Sequence, residues 1–430
     1  MTPGRDARGT VDAVYRLEGA RIIAGLARTV HDIGLAEDSL QDAMVAAIEK
    51  WPQAGVPANP AAWLTLEAKH RAIDRIRRSV NLGDKLGGIA DDERQRIRVD
   101  IDAGGHDFDL IVAHEGIADD VLRLLFATCH PSLTRDTQVA LTLKLLGGLS
   151  PREIARAYLV PEQTISQRIL RGRRRLAAEG FDAAVPSPAE RQARLGVVRE
   201  VVYLVFTEGH AATVGDDWVR PDLCLEALRL ARMLAELVPD DAEAHALAAL
   251  LELQASRLPA RTGDGGAPVR LDEQDRGLWD QLLIARGFRS LLRARELTDT
   301  PGPYAIQAAI AAAHARARTA SETDWASIAE LYRLLAHVAP SPIVTLNRAV
   351  AVSRAESPQA GLRMLEGLAD SPELSDHHLL AAVRAQLLLE IGDAWAAAVE
   401  LRRAAELAPN PREQELLRAR AQEWNPVHEG

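Results

Sequence analysis

The sequence predicts an all-α fold. Alanine, leucine and arginine dominate its 430 residues, whereas aromatic residues amount to only 4%. The β-branched and aromatic residues that strands favour are therefore scarce. Apolar residues instead recur at helical spacing in one segment after another. A chain of this length can form two to four domains.

Composition also indicates the cellular compartment of the protein and the kind of partner that it can bind. The only cysteines are Cys129 and Cys224, too few for a disulfide framework, so a reducing cytoplasm is expected. The N-terminus lacks a signal pattern, and no apolar run approaches the roughly 18 residues that a membrane span needs. We therefore expect a soluble cytoplasmic protein without a membrane partner. The net charge of −10 argues against general coating of nucleic acid, but two short arginine-dense stretches allow docking at chosen places.

The first arginine-dense stretch lies in a predicted helix-turn-helix between Leu149 and Leu176. Ser150 is a suitable N-cap, Pro151 suits the first turn, and Glu153 completes a capping box. Val160–Pro161 ends this helix, and a second helix follows. Its buried side is marked at helical spacing by Ile165, Ile169 and Leu176.

The opposite face of this second helix carries side chains that can contact bases and phosphates. Five arginines lie between Arg168 and Arg175. A surface helix with a solvated arginine face is the alternative, but the capped preceding helix and the short turn favour DNA binding. The predicted reading residues are Gln163, Thr164, Ser166, Gln167, Arg168, Arg171 and Arg174.

A second basic cluster follows Trp63 in a predicted helix that ends near Arg78. Its basic residues are Lys69, Arg71, Arg75, Arg77 and Arg78. The preceding amphipathic helix carries an exposed acidic and polar face made of Glu37, Asp38, Gln41 and Asp42. Taken alone, such a face is more often a solvated surface than a binding site.

The organisation along the chain has four parts: a helical unit at 10–80, a Gly/Asp-rich linker at 81–117, a second helical unit at 118–180 and a helical extension at 190–430. In the extension, Pro239, Pro340 and Pro409 lie 101 and 69 residues apart, close to multiples of the 34-residue tetratricopeptide period. A TPR-like α-solenoid is therefore predicted, with the segment 261–280 as a loop that interrupts it.

Several ordered motifs resemble a known family. The phrase AEDSLQDA, a tryptophan, a Pro/Asn loop and RAIDRIRR resemble region 2 of extracytoplasmic-function sigma factors of the sigma-70 family. The stretch LSPREIARAYLVPEQTISQRILRGRRRL resembles their region 4. The phrases LRLLFATCHPSLT, VVYLVFTEGH and RPDLCLEALRLARML resemble the subgroup with a C-terminal tetratricopeptide-like extension.

The resemblance implies a function for each predicted face. Glu37, Asp38, Gln41 and Asp42 would bind the clamp of the polymerase β′ subunit, and the β flap would be a further contact of the RNA polymerase core. The 52–78 segment would hold the promoter −10 element, with Asn59 near a flipped base and Trp63 and the basic cluster beside it. The 162–176 helix would contact the −35 element. Glu67 and His70 depart from the residues that the family often has, which leaves the fine −10 preference open.

The sequence gives weaker evidence for other candidate sites. Cys129 and His130, with His106 and His114, match no common zinc spacing, and buried packing is the usual role of such a cysteine. The phrase YLVFTEGH at 203–210 contains an acid and a histidine but no accompanying nucleophile. No Walker, GxGxxG or GxSxG motif occurs, so neither a cofactor nor an enzymatic activity is expected.

Two other functions are alternatives to a sigma factor whose solenoid regulates activity through a protein partner. A stand-alone helix-turn-helix regulator with a sensing solenoid would bind DNA without polymerase, but would have no use for the acidic helix and the second basic cluster. An α-solenoid enzyme or scaffold would need a catalytic pocket for which no residues are evident.

Overall fold

A computed structural model describes residues 3–86, 117–158, 160–179, 186–187, 190–210, 219–263, 266–368, 374, 378–408 and 410–424. Eighteen α-helices and no β-strand occur in these residues, which confirms the all-α prediction. The predicted linker at 81–117 lies outside them, except for its two ends, which are helical. The chain divides into two compact units, 1–202 and 203–430.

The first unit contains seven complete helices and part of an eighth. They are α1 (Pro3–Val30), α2 (Ile33–Ala54), α3 (Pro60–Leu86), α4 (Ile117–Thr128), α5 (Arg135–Leu145), α6 (Pro151–Tyr158), α7 (Glu162–Glu179) and α8 (Arg191–His210), within which the boundary between the units falls.

Local sequence explains where α2 begins and ends. The Asp32 carboxylate accepts a hydrogen bond from the Leu35 backbone N–H at 3.0 Å, as an N-cap does. Gly55 ends the helix with φ +84°, a conformation that glycine adopts without steric cost. Fully buried Leu40 and Leu64 place the apolar sides of α2 and α3 in the core, together with Ile23 of α1.

The second unit continues with ten helices. They are α9 (Pro221–Leu237), α10 (Ala242–Ala255), α11 (Gln281–Leu297), α12 (Pro303–Arg316), α13 (Trp325–Val338), α14 (Pro342–Ala355), α15 (Pro358–Glu366), α16 (His378–Glu390), α17 (Ala394–Leu407) and α18 (Pro411–Glu423). Most of these helices pack against the next one in the chain.

The proline positions that suggested a repeat coincide with helix ends. The helices α9 and α13 end just before Pro239 and Pro340, and Asp241 and Ser341 then cap the following helices. Pro409 lies outside the described residues, but Asn410 caps α18 in the same manner. The sequence therefore predicted the helix boundaries here.

The predicted loop at 261–280 contains the 3₁₀ turn Arg276–Leu278 and is tied to the surrounding helices in its described residues. The Arg276 guanidinium donates to the carbonyl oxygens of His314 and Ala317 at 2.7 and 2.8 Å, and it lies 5.0 Å from the Trp279 ring centroid. Arg354 forms an ion pair with Asp272 at 3.3 Å. These contacts make the loop part of the folded unit.

The YLVFTEGH phrase has a structural role in the second unit. Glu208 pairs with Arg220 at 2.9 Å, and the Gly209 carbonyl accepts a hydrogen bond from the Arg220 backbone at 2.7 Å. A Cβ on Gly209 would lie 2.8 Å from the backbone nitrogen of Cys224, so only glycine fits. The phrase thus joins the end of α8 to the start of α9.

Candidate nucleic-acid interface

The predicted helix-turn-helix is formed by α6 and α7. The Ser150 backbone N–H donates to the Glu153 carboxylate at 2.8 Å, and the Glu153 N–H donates to the Ser150 hydroxyl at 3.2 Å. This reciprocal pair is the predicted capping box. Although partial burial acts in the other direction, the bonds from Ser150 lower the pKa of Glu153. The anionic box therefore holds the first turn of α6.

The second helix, α7, packs closely on α5 through a glycine. Gly172 is buried, and a Cβ there would lie 2.6 Å from the Thr137 methyl carbon and 2.8 Å from a Leu141 methyl carbon. Ile165 and Leu176 of the same helix are also buried, as their spacing predicted. This packing orients the opposite face of α7 toward solvent.

Most of the predicted reading residues lie on that exposed face. The exposed ones are Gln163, Ser166, Gln167, Arg171 and Arg174, whereas Thr164 and Arg168 are partly buried. The Arg168 guanidinium pairs with Asp136 at 2.7 Å, which restrains it on α5. The exposure is as predicted, and contact with DNA remains a prediction.

On α3 the basic cluster divides into exposed and partly buried members. Arg77 and Arg78 are exposed, with the Arg78 guanidinium donating to the Asp74 carbonyl at 3.2 Å. Arg71 pairs with Glu67 at 2.9 Å, and this ion pair lowers the pKa of Glu67 against the opposing effect of its partial burial. Lys69 is partly buried.

Two aromatic rings shape the start of α3. Trp63 lies edge-on to buried Trp51, with ring centroids 5.4 Å apart, and the Lys50 ammonium is 5.6 Å from the Trp63 centroid. Asn59, predicted near a flipped base, is exposed and acts as a cap: its side-chain oxygen accepts from the Ala62 N–H at 3.1 Å. The structure thus gives Asn59 a local role that the sequence analysis did not foresee.

The acidic face of α2 corrects one prediction, because Glu37 is buried with 1% exposure. Lys144 of α5 lies 3.2 Å from one carboxylate oxygen, and Arg173 of α7 lies 3.5 Å from the other. Gln41, which is exposed, donates to Glu37 at 2.8 Å. A buried carboxylate needs such partners. Glu37, which was expected to face solvent, is therefore covered by α5 and α7.

The neighbouring acids on α2 are paired as well. Asp38 accepts from Arg173 at 2.8 Å and lies 3.5 Å from Arg75, and Asp42 accepts from Arg75 at 2.6 Å. Arg75 therefore connects the predicted −10 helix to the predicted polymerase-binding face. Pairing within the chain offsets much of the negative charge of this face.

Like Lys144, Arg173 is a residue at this interface that the sequence pattern did not single out. Its guanidinium also donates to the Gly34 carbonyl at 2.6 Å. Burial disfavours its charged form, but Glu37 and Asp38 outweigh that effect and raise the pKa of Arg173. In the sequence, Arg173 is one of several arginines in the run RGRRR. Their spacing alone does not show which of them pairs with the acids of α2.

Further contacts join the two helical segments of this unit. Arg16 of α1 pairs with Glu153 of α6 at 3.2 Å, and Arg28 pairs with buried Asp120 of α4 at 3.3 Å. The Lys144 ammonium lies 5.9 Å from the Tyr15 ring centroid. The two segments predicted as separate domains are therefore packed together in this structure.

One candidate metal ligand, Cys129, has a packing role. Cys129 is buried, and its sulfur lies 3.8 Å from the Thr142 hydroxyl; burial raises its pKa to about 11. His106 and His114 lie outside the described residues. No cluster of three or more potential metal ligands occurs among the residues that the structure describes.

Three family models match successive parts of the chain. Sigma-70 region 2 matches residues 14–81, and Sigma-70 region 4 matches 123–176. These two matches support a sigma-70 family factor. A third model, a family of unknown function (DUF6596), matches 194–295 of this chain. The two sigma models enclose the α3 and α7 faces described above, and they indicate a non-catalytic factor in transcription initiation that acts with core RNA polymerase and promoter DNA.

Two curated proteins are similar to this chain. An uncharacterized protein of Rhizobium meliloti (strain 1021) is 40% identical over 414 residues, which cover 95% of each chain. The ECF RNA polymerase sigma factor SigK of Mycobacterium ulcerans (strain Agy99) is 28% identical over 178 residues, 39% of this chain and 87% of its own length. In the described part of the chain, none of the helices has the length and apolar character of a membrane span.

Proposed function

We propose that the protein is an extracytoplasmic-function sigma factor that holds promoter DNA through α3 and α7 and is regulated through its C-terminal extension. The observation that carries the proposal is the exposed polar and arginine face of α7, opposite a side packed on α5. A helix with polar residues near its start and arginines behind them suits entry into a major groove. The −35 element would be contacted there, and the −10 element by α3.

The second element of the proposal concerns the acidic face of α2. Glu37, Asp38, Gln41 and Asp42 would bind the polymerase clamp, but Lys144, Arg173 and Arg75 occupy these carboxylates in this structure. We therefore propose that this packing is a resting state, in which the α7 contact competes with the polymerase. Binding of the core would require α2 and α7 to separate.

The extension, 190–430, is proposed to be a TPR-like solenoid that presents a surface to a protein partner. Support comes from helices that pack on their chain neighbours and from the repeated helix-end, proline and cap pattern near Pro239 and Pro340. A solenoid offers an extended surface suited to protein binding.

Reconstituted transcription tests the proposal. Purified core polymerase, with or without this protein, would be supplied with a library of promoter fragments, and initiation sites would be mapped. We expect initiation at a defined set of promoters only when the protein is present. Absence of initiation from every fragment, together with no binding to core, would reject the sigma function.

A truncation after Val202, where the first unit ends, tests the extension separately. Increased transcription would indicate an inhibitory extension, and reduced transcription would indicate an activating contact. Unchanged transcription from every promoter would contradict a regulatory role.

A further inference from the structure

The helix α11 carries a basic and apolar face that none of the sigma regions explains. Residues 203–430 contain 23 arginines and 33 acidic residues, and so account for the whole net charge of −10. Against that background, α11 has Arg286, Arg289, Arg293 and Arg295 but only one acid, Glu296. This helix is therefore a local exception to the charge of its unit.

Three of these arginines form one continuous stripe with Leu282. Leu282, Arg286, Arg289 and Arg293 follow at intervals of four, three and four residues, which places them on one side of a helix. The opposite side contains buried Ile284, Gly287 and Ala294. The stripe runs for about 17 Å along the helix, at about 1.5 Å per residue.

The charges in the stripe are little compensated. Among the described residues, no ion pair involves Arg286 or Arg289, and both are exposed. Arg293 lies 3.3 Å from Glu296, but both side chains are about half exposed, and such a surface pair is weak. Arg316 of α12, 5.7 Å from the Phe288 ring centroid, adds another exposed cation beside α11.

Large apolar side chains are exposed on and beside the same stripe. Leu282 is 78% exposed, Leu292 is 58% exposed, and Leu278, just before the helix, is 53% exposed. Single exposed leucines are ordinary, but three of them next to unpaired arginines form an amphipathic patch. Leucine has no favourable contact to make with phosphates, so this combination favours an acidic protein surface with apolar residues over DNA.

We infer that the exposed face of α11, made of Leu278, Leu282, Arg286, Arg289, Leu292 and Arg293, docks on an acidic and apolar surface of the RNA polymerase core. The inference rests on the proposed function, because core polymerase is the protein partner that sigma-70 membership implies. The contact would be additional to those of regions 2 and 4. It would anchor the extension to the polymerase. Attraction between opposite charges would also accelerate association of the two proteins.

The test measures binding of purified core polymerase to the full chain by fluorescence anisotropy. One variant, Arg286→Glu with Arg289→Glu, reverses the stripe charge, and another, Leu282→Ser with Leu292→Ser, removes its apolar part. The matched controls are Arg363→Glu with Arg402→Glu and Leu225→Ser, which alter exposed residues elsewhere in the same unit. All variants are compared with and without Arg173→Ala, so that the α2–α7 contact does not hide a difference.

We expect each stripe variant to weaken core binding at least tenfold, with the controls within twofold of the unaltered chain. Equal binding by stripe variants and controls would overturn the inference while leaving the proposed function standing. Failure of the unaltered chain and of Arg173→Ala to bind core would instead reject the proposed function and the inference with it. The arginine variant alone could lose affinity for core polymerase and lose affinity for promoter duplex to the same extent. That result would identify a DNA-binding face and overturn the inference.

Discussion

The Arg173 guanidinium of α7 donates to the Asp38 carboxylate of α2 at 2.8 Å, and it lies 3.5 Å from buried Glu37. One arginine of the proposed −35 helix thus contacts two acids of the proposed polymerase-binding face. Any partner that binds Glu37 and Asp38 must displace Arg173 and also compensate Lys144, which lies 3.2 Å from Glu37.

Substitution Arg173→Ala is expected to increase affinity for core polymerase, because it removes a contact that exists only in the packed state. A release of about 1.4 kcal/mol would correspond to about tenfold tighter binding. The control is Arg174→Ala, which removes the adjacent arginine on the exposed side of α7. Binding of Arg173→Ala no tighter than that of the control would show that the α2–α7 contact does not compete with polymerase.

Arg171 and Gln167 of α7 are expected to differ in how they affect promoter binding. Arg171→Ala should weaken binding to all −35 duplexes. It should also reduce the slope of log affinity against log salt concentration by the amount that corresponds to about one phosphate contact. Gln167→Ala should change the preferred base at one position by about 1–3 kcal/mol. Arg402→Ala in the extension is the control, and titrations of a duplex library at several salt concentrations provide the measurement. Unchanged selectivity and salt slope in both variants would contradict our assignment of the recognition helix.

The close approach of α7 to α5 predicts a stability difference between two glycine substitutions. In Gly172→Ala the new Cβ would lie 2.6 Å from a Thr137 carbon, whereas in Gly196→Ala the nearest atom, of Arg199, is 4.0 Å away. Both substitutions gain a similar helix propensity. Overpacking should therefore make Gly172→Ala less stable than Gly196→Ala by about 1–3 kcal/mol. Denaturant unfolding of the two variants measures this difference, and equal stability would show that α5 and α7 adjust without cost.

His314 predicts an acid sensitivity of the second unit. Burial, aided by Arg257 and Arg276, lowers its pKa from 6.5 to about 4. Between those values the unfolded chain binds a proton that the folded chain rejects, so the stabilisation is present above pH 6.5 and falls as the pH decreases toward 4. The loss amounts to about 3 kcal/mol for a shift of this size.

Thermal unfolding at pH 7.5 and 5.0 measures this effect. The Tm of the unaltered protein should fall more between the two values than that of His314→Gln, which has no group to protonate at this position. His337→Gln, at an exposed position on α13, should behave like the unaltered protein. An identical pH dependence of Tm in His314→Gln and the unaltered protein would exclude His314 as the responsible group.

Local sequence predicted the elements of the candidate site well. The capping box of Ser150 and Glu153 and the buried spacing of Ile165 and Leu176 depend on residues only a few positions apart, so their geometry follows from helical periodicity. The burial of Glu37 could not be predicted in this way. Its partners, Lys144 and Arg173, are more than a hundred residues away, and the periodicity of α2 alone places a carboxylate on the polar side.

The sequence by itself determined the all-α class, the helix-turn-helix, the two arginine-rich faces and the helix ends near Pro239 and Pro340, because caps, turns and apolar spacing act over short distances. Only the tertiary structure decided which charges remain available to a partner. It pairs Arg173 with Asp38 and leaves Arg171 and Arg286 exposed. The reason is that an ion pair depends on which helices pack together, a choice made by the apolar sides of those helices and not by the charged residues themselves.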